Sequence, residues 1–291
     1  PFSLAHNQTF ILKYCGKIIC KVDVEMSKSI KDLKTRNGIP YKNIAFISGD
    51  RLRIKPERKC YYKATQQGCS FCPNNEKQKN IENYKIEDIY EVIDYCFKNE
   101  QFRHILIGGG TADPKQHSET IISVASYIKS ISDKSIYLMC TPPDRIETIN
   151  DYVDNGIKEL AFNVELFDRD LAIKYMPGKG KITLPKYLLS LKTAVDLLGE
   201  SGSVRSMLVV GLESSEKTLS AVKLLCENGI QPMLSIYRPT DNCKLKYIVQ
   251  PSNEELLQIF NSAEKICSKF NLKLGPSCPS CQNNTLSLTT E

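Results

Sequence analysis

The chain has 291 residues, of which 41% are hydrophobic and 25% charged, with a formal net charge of +6 and no tryptophan. That length can bury one large core, or one core and an appended module, and the composition is that of a globular protein rather than a disordered or fibrous one. No apolar run reaches the roughly 18 residues of a membrane span, and residues 1–16 lack a basic segment leading into an uninterrupted apolar stretch, so the sequence reads as cytoplasmic with no membrane partner.

The positive charge is concentrated at the start: residues 1–59 carry thirteen Lys or Arg against five Asp or Glu. A solvated lysine-rich face explains this as well as a nucleic-acid, acidic-carrier or anionic-substrate contact does. Residues 9–13 and 17–24 alternate in hydropathy on either side of Gly16 and predict a hairpin or small sheet. Residues 1–49 are therefore taken as an N-terminal accessory module.

From residue 50 the pattern becomes a strand and helix alternation. Strands are predicted at 52–55, 104–108, 135–140, 159–166, 204–211 and 232–237, with helices near 85–99, 118–131, 145–154, 183–199, 214–228 and 252–270. In the first helix Ile86, Ile89, Tyr90, Ile93 and Phe97 recur at spacings of three and four and make one apolar face. The strands are short, nearly continuous apolar runs, as in a parallel sheet covered on both faces. Thr183 before Leu184-Pro185 signals a helix start, and Ser214 or Ser215 and Ser252 signal two more. Six such units predict an α/β fold with right-handed crossovers, either a partial (β/α)6 barrel over 50–250 or an open doubly wound sheet. Residues 251–291 form a last helix and a cysteine-containing tail.

Twelve cysteines without a secretory signal argue for reduced thiols and metal chemistry. Cys96, Cys226 and Cys267 fall on apolar helix stripes and read as small core hydrophobes. Cys60, Cys69 and Cys72 are different. Grouped in one loop after the first strand, they can hold a metal and leave one coordination position open. Two readings stand at this point: an iron–sulfur cluster, or a structural zinc that borrows a fourth cysteine. Cys278 and Cys281 in the tail make a second C-x2-C and read as an auxiliary metal site, with Cys15, Cys20, Cys140 and Cys243 as candidate partners.

The spacing C-x8-C-x2-C, with Phe71 inside the last pair, resembles the C-x3-C-x2-C signature of radical S-adenosylmethionine (SAM) enzymes, with a longer first loop. A longer loop is inexpensive, since closure costs only about 0.6 kcal/mol per doubling of length. The resemblance, closest to biotin-synthase-like members, implies the partial barrel and a [4Fe–4S] cluster on Cys60, Cys69 and Cys72. It implies that SAM chelates the fourth iron and is cleaved reductively to a 5′-deoxyadenosyl radical. It also implies a small-molecule or carrier-bound substrate and an electron donor such as flavodoxin or ferredoxin.

In a parallel barrel the ligand site lies at the carboxyl ends of the strands. Gly108, Gly109, Gly110 and Thr111 follow the second strand, where the family's glycine-rich element meets the SAM amine. Asn163 and Glu165 share a face near the end of the fourth strand, and Glu165 is similar in placement to an acidic residue that contacts that amine. Arg205 is matched to an arginine that binds the SAM carboxylate, and Glu213 lies past the end of the fifth strand. Phe71 completes the SAM-binding set. Residues 167–182 form a long βα loop suited to capping SAM. For the reaction that follows, three expectations stand: sulfur insertion with an auxiliary iron–sulfur cluster, a radical rearrangement or peptide modification without one, and a non-enzymatic zinc protein that binds nucleic acid.

Overall fold

The structure, a computed structural model, describes residues 2–7, 9–22, 30–72, 83–111, 113, 117–241, 243–276, 278, 282 and 285–287. A three-stranded antiparallel sheet comes first, with β1 (Phe2–Asn7), β2 (Thr9–Tyr14) and β3 (Lys17–Val22) in that order. Cys15 and Gly16 join β2 to β3 with φ of 48° and 79°, the two left-handed residues that a tight hairpin turn requires.

The main sheet has seven strands in the order β10-β9-β8-β7-β6-β5-β4. They are β4 (Ala45–Ser48), β5 (Arg51–Ile54), β6 (His104–Gly108), β7 (Ile136–Cys140), β8 (Ile157–Phe162), β9 (Val204–Val210) and β10 (Gln231–Ile236). Strands β5 to β10 are mutually parallel, and β4 lies antiparallel on the edge. The sheet curls into a half-barrel, which decides between the two topologies left open by the sequence. Residues 30–48, assigned from sequence to the accessory module, pack here: Ile30, Tyr41, Ile44 and Ala45 are part of the main core.

The helices are α1 (Tyr41–Ile44), α2 (Tyr61–Ala64), α3 (Ile86–Asn99), α4 (His117–Ile131), α5 (Thr148–Asp154), α6 (Arg169–Tyr175), α7 (Leu184–Leu198), α8 (Ser215–Glu227) and α9 (Asn253–Lys269). Thr183, Ser214 and Ser252 each accept a backbone N–H at the start of α7, α8 and α9. Side-chain alternation along the strands sorts the two faces of the sheet. Leu52, Ile54, Ile105, Ile107, Leu138 and Leu160 join the helices in one continuous core. Their neighbours Arg53, Leu106, Tyr137, Met139, Met207 and Met233 line a cavity of about 180 Å³ in the bore. Cys96, Cys226 and Cys267 are buried core residues, as expected, with the last two sulfurs 3.7 Å apart between α8 and α9.

The tail runs along β10 and reaches the amino-terminal end of this bore. The Gly275 N–H donates to Pro232 O at 2.8 Å and the Leu286 N–H to Leu234 O at 2.7 Å, while Thr285 bridges Ser235 in antiparallel sense. Pro276 and Thr285 thereby become part of the cavity wall. Among the described residues no helix is long and apolar enough to cross a membrane.

Candidate active site

Cys60 precedes α2, and its carbonyl accepts the N–H groups of Lys63 and Ala64 at 3.0 and 2.9 Å. The next N–H, of Tyr61, donates to Thr111 O at 2.6 Å and ties the cysteine loop to the glycine run after β6. Gly109 has φ of 146°, which side chains rarely adopt. A Cβ on Gly110 would lie 3.1 Å from the Cys60 N, Cα and Cβ atoms, so a side chain there would press the two segments apart by a few tenths of an ångström. The sequence expectation that these two segments converge at a strand end therefore has a steric basis.

The loop from Cys69 to Cys72 is held from two sides. Ser70 N–H donates to Tyr175 O at the end of α6, and Lys244 N–H donates to Ser70 O from the segment after β10. Cys243 Sγ donates to Phe71 O at 3.0 Å. Phe71 packs on an apolar cluster that includes Leu166, Val209, Leu212 and Tyr237. Both the backbone of the loop and its one aromatic are thus held by neighbouring elements.

Burial pushes the Cys69 thiol up to about 12, the nearby Lys179 ammonium working against this and Glu165, Cys72 and Cys60 adding to it. A thiolate there needs bound cationic charge, which cluster iron supplies. Among the described residues the only His, Cys, Asp or Glu trio with all ligand atoms within 4.8 Å of one another lies elsewhere. The three mouth sulfurs do not meet that spacing. The donor set, three cysteines with a buried thiol among them, fits the chemistry of a three-cysteine iron–sulfur cluster.

Glu165 stands beside the cysteines with a left-handed φ of 65°. Non-glycine residues seldom hold this conformation, and it costs on the order of 1–3 kcal/mol wherever the surroundings enforce it. Here they do: Glu165 N–H donates to Met207 O, and Glu165 O accepts from the Val209 N–H. Its carboxylate meets the Lys179 ammonium at 2.7 Å, both side chains being almost fully buried. Burial by itself would favour neutral Lys179, but the Glu165 carboxylate outweighs it and holds the ammonium charged beyond its ordinary range. Lys179 was not singled out from the sequence. Its signal is the loop stretch 176–181, where glycines on both sides of one lysine allow the chain to turn inward.

Other expected residues go elsewhere. Asn163 accepts the Met207 N–H at 3.2 Å, and Ser206 Oγ accepts the Val164 N–H at 3.0 Å. These bonds bridge β8 and β9 beyond their short register, so Asn163 serves the sheet. Glu213 accepts the Asp168 N–H at 2.8 Å and the Thr218 hydroxyl, and burial shifts its carboxyl upward. It anchors the loop after β8. Arg205 is not brought to the mouth. At the amino-terminal end of β9 it pairs with Glu159 at 2.5 Å, donates to Gly202 O and covers the Tyr137 ring. It faces the bore as alternation requires, but at the wrong end to reach the cysteines.

The tail is similarly displaced from expectation. Cys140 ends β7 and Cys243 lies against Phe71, both on the mouth side. Cys278 lies at the opposite end, beside Arg103 and His104. Strands of five to seven residues separate the two ends by about 16–23 Å, so Cys278 cannot share a metal with Cys140 or Cys243. Cys281 lies outside the described residues.

A curled sheet of parallel βα units with three cysteines and a glycine run at its carboxyl end defines a partial-barrel enzyme of the radical SAM type. The model of the radical SAM superfamily matches residues 61–242, more than half of the sequence. The chain belongs to the radical SAM superfamily. Over 279 residues, 88% of this chain and 69% of the relative, it is 19% identical to a bacteriochlorophyllide c C-7(1)-hydroxylase of Chlorobaculum limnaeum. Its fold is similar to that of methylornithine synthase (TM-score 0.57, 18% identity, 77% of this chain and 63% of that one). It is similar also to that of a radical SAM methyltransferase from Sphaerobacter thermophilus (TM-score 0.58, 16% identity, 78% and 66%). The chain thus spans slightly under two thirds of the length of these two structures. It is an enzyme of radical SAM chemistry, which sets aside the non-enzymatic zinc protein.

Proposed function

We propose that the chain functionalises a C–H bond of a small-molecule or carrier-bound substrate standing in the bore between the cysteine mouth and the tail. The carrying observation is the packing of Gly110 against Cys60 at the carboxyl end of the sheet, where the buried Glu165–Lys179 pair stands beside Cys69. Cys60, Cys69 and Cys72 would hold a [4Fe–4S] cluster, and Gly108 to Thr111 with Glu165 would meet SAM. Lys179 would supply a cation for its carboxylate. When bound, the cluster and SAM supply a carbon-centred radical able to take a hydrogen atom from the substrate.

The protein's own part is to orient and to exclude. Leu166, Val209, Leu212 and Tyr237, packed with Cys69 and Phe71, keep water from the cysteine loop. The flavodoxin- or ferredoxin-type donor and a cytoplasmic setting belong to the same proposal.

Of the two enzymatic outcomes, transformation without sulfur transfer is favoured over sulfur insertion. The described donors gathered around Cys278 are a carboxylate and an imidazole rather than thiols, and the curated relative is a hydroxylase. The experiment is an iron and sulfide count on anaerobically reconstituted protein and its Cys278→Ala/Cys281→Ala variant. About four of each in both proteins, the content of one cubane, supports the proposal. About eight falling to four would overturn it in favour of a sulfur-donating second cluster, the biotin-synthase-like outcome.

A further inference from the structure

At the amino-terminal end of the barrel, Asp50, His104 and Cys278 bring their ligand atoms within 4.8 Å of one another. Asp50 and His104 are set side by side by the sheet itself. Arg51 is in register with His104 across β5 and β6, and Arg103 N–H donates to Asp50 O at 2.7 Å. Cys278 arrives from the tail, whose course is fixed two and three residues earlier by Pro276 in the cavity wall and by Gly275 bonded to Pro232. Three chain segments far apart in sequence thus deliver three different metal-ligating groups to one point.

We propose that Asp50, His104 and Cys278 bind a single divalent, thiolate-accepting cation of the zinc class, which fastens the tail across the floor of the bore. Bond lengths of about 2.0–2.3 Å in a tetrahedron put ligand atoms about 3.3–3.7 Å apart, so closing from the present spacing needs small side-chain movements only. Cubane ligands are held further apart by the cluster itself, so this trio selects one ion. Thiolate with imidazole excludes magnesium and calcium, which take oxygen ligands. Three protein ligands leave the fourth position for water or another donor.

Arg103 fits the same assignment. It donates to Cys278 Sγ at 3.2 Å and to Asp50 Oδ2 at 2.7 Å, so a cation already holds both groups. Its side chain is 61% exposed and can withdraw from the sulfur into solvent while keeping its bond to the carboxylate, as an outer partner of a ligating group does. The proposal is independent of the chemistry at the mouth.

The test is an anaerobic titration of the cluster-loaded chain, previously treated with a chelator, with Co2+ followed by electron paramagnetic resonance and by thiolate-to-cobalt charge-transfer absorption. The resting cubane is silent in the first. One equivalent of Co2+ with a thiolate band, displaced by Zn2+, is expected. Cys278→Ser and His104→Gln should each weaken binding by more than about 100-fold, beyond the 10–100-fold typical of an outer-shell loss, while Cys15→Ser changes nothing. Limited proteolysis should be slowed by Zn2+ beyond residue 270 in the parent and not in Cys278→Ser. No uptake, or equal affinity and equal proteolysis in the parent and both ligand variants, would overturn the proposal and leave the trio as an arginine-held ion pair.

Discussion

Glu165 and Lys179 show how much a single buried pair can control. Each charge is taken out of water and is acceptable only because the other lies 2.7 Å away. Removing one partner leaves an uncompensated buried charge, which costs about 3–5 kcal/mol. Glu165→Gln and Lys179→Met should therefore each lower the free energy of unfolding by that amount in denaturant titrations, and the double variant should cost less than their sum. Additive losses would mean the two side chains do not act as a pair.

His117, at the start of α4, carries a pH dependence. Burial pushes its imidazole down to about 4 from an ordinary 6.5. In the folded chain it stays neutral between those values, whereas the unfolded chain takes up a proton. The folded-state pKa is depressed, so the contribution is full above about pH 6.5 and is lost as pH falls toward 4, with a total on the order of 3 kcal/mol. Stability measured across this window should fall less steeply in His117→Asn. An unchanged slope would show that other groups set it.

At the scale of elements, glycine decides how closely the cysteine loop and the glycine run can meet. Gly110→Ala puts a methyl group 3.1 Å from Cys60 backbone atoms. The expected result is a chain with parent-like circular dichroism that retains well under half the parent's cluster iron after reconstitution. Gly180→Ala should loosen the segment carrying Lys179, because its Cβ would run into the backbone of α6, 2.8 Å from Ile173 Cα. Normal cluster content in the first variant would separate the glycine run from the cysteine site.

The βα units are legible in the sequence because period-3.6 and continuous apolar runs alternate over two hundred residues, and Thr183, Ser214 and Ser252 mark helix starts. β4 is not legible, since four residues at 45–48 carry too little periodicity to separate an edge strand from a loop. The cysteine trio and the glycine run are legible from residue type and strand-end position. Arg205, Asn163 and Glu213 are harder for one reason. Alternation says which face of a strand a polar side chain takes, but not whether the neighbouring backbone or a ligand satisfies it. Lys179 lies in a loop whose path is set by tertiary contacts with Tyr62 and α6; the flanking Gly178 and Gly180 signal that the chain can turn there, but not what it turns toward.

For the whole molecule, the half-barrel has two ends with different tasks. The carboxyl end gathers the cysteines, the glycine run and the buried ion pair, and the amino end receives a tail that joins β10. Deleting residues 274–291 removes Leu274 and Leu286 from the core region along with the tail's bonds to β10. Two such side chains are worth on the order of 3 kcal/mol, a fall in Tm of roughly 6–12 °C for a chain of this size. An unchanged Tm would mean the tail's packing contributes nothing to stability.

The central claim is that Cys60, Cys69 and Cys72 form the mouth at which SAM is cleaved. It is tested most directly by dithionite-dependent formation of 5′-deoxyadenosine from SAM, measured for the reconstituted parent and for Cys69→Ala alongside their iron content. The account predicts product and about four irons in the parent, with both lost in the variant while the fold is retained. Undiminished 5′-deoxyadenosine from Cys69→Ala, or a parent that binds zinc and leaves SAM intact, would contradict it.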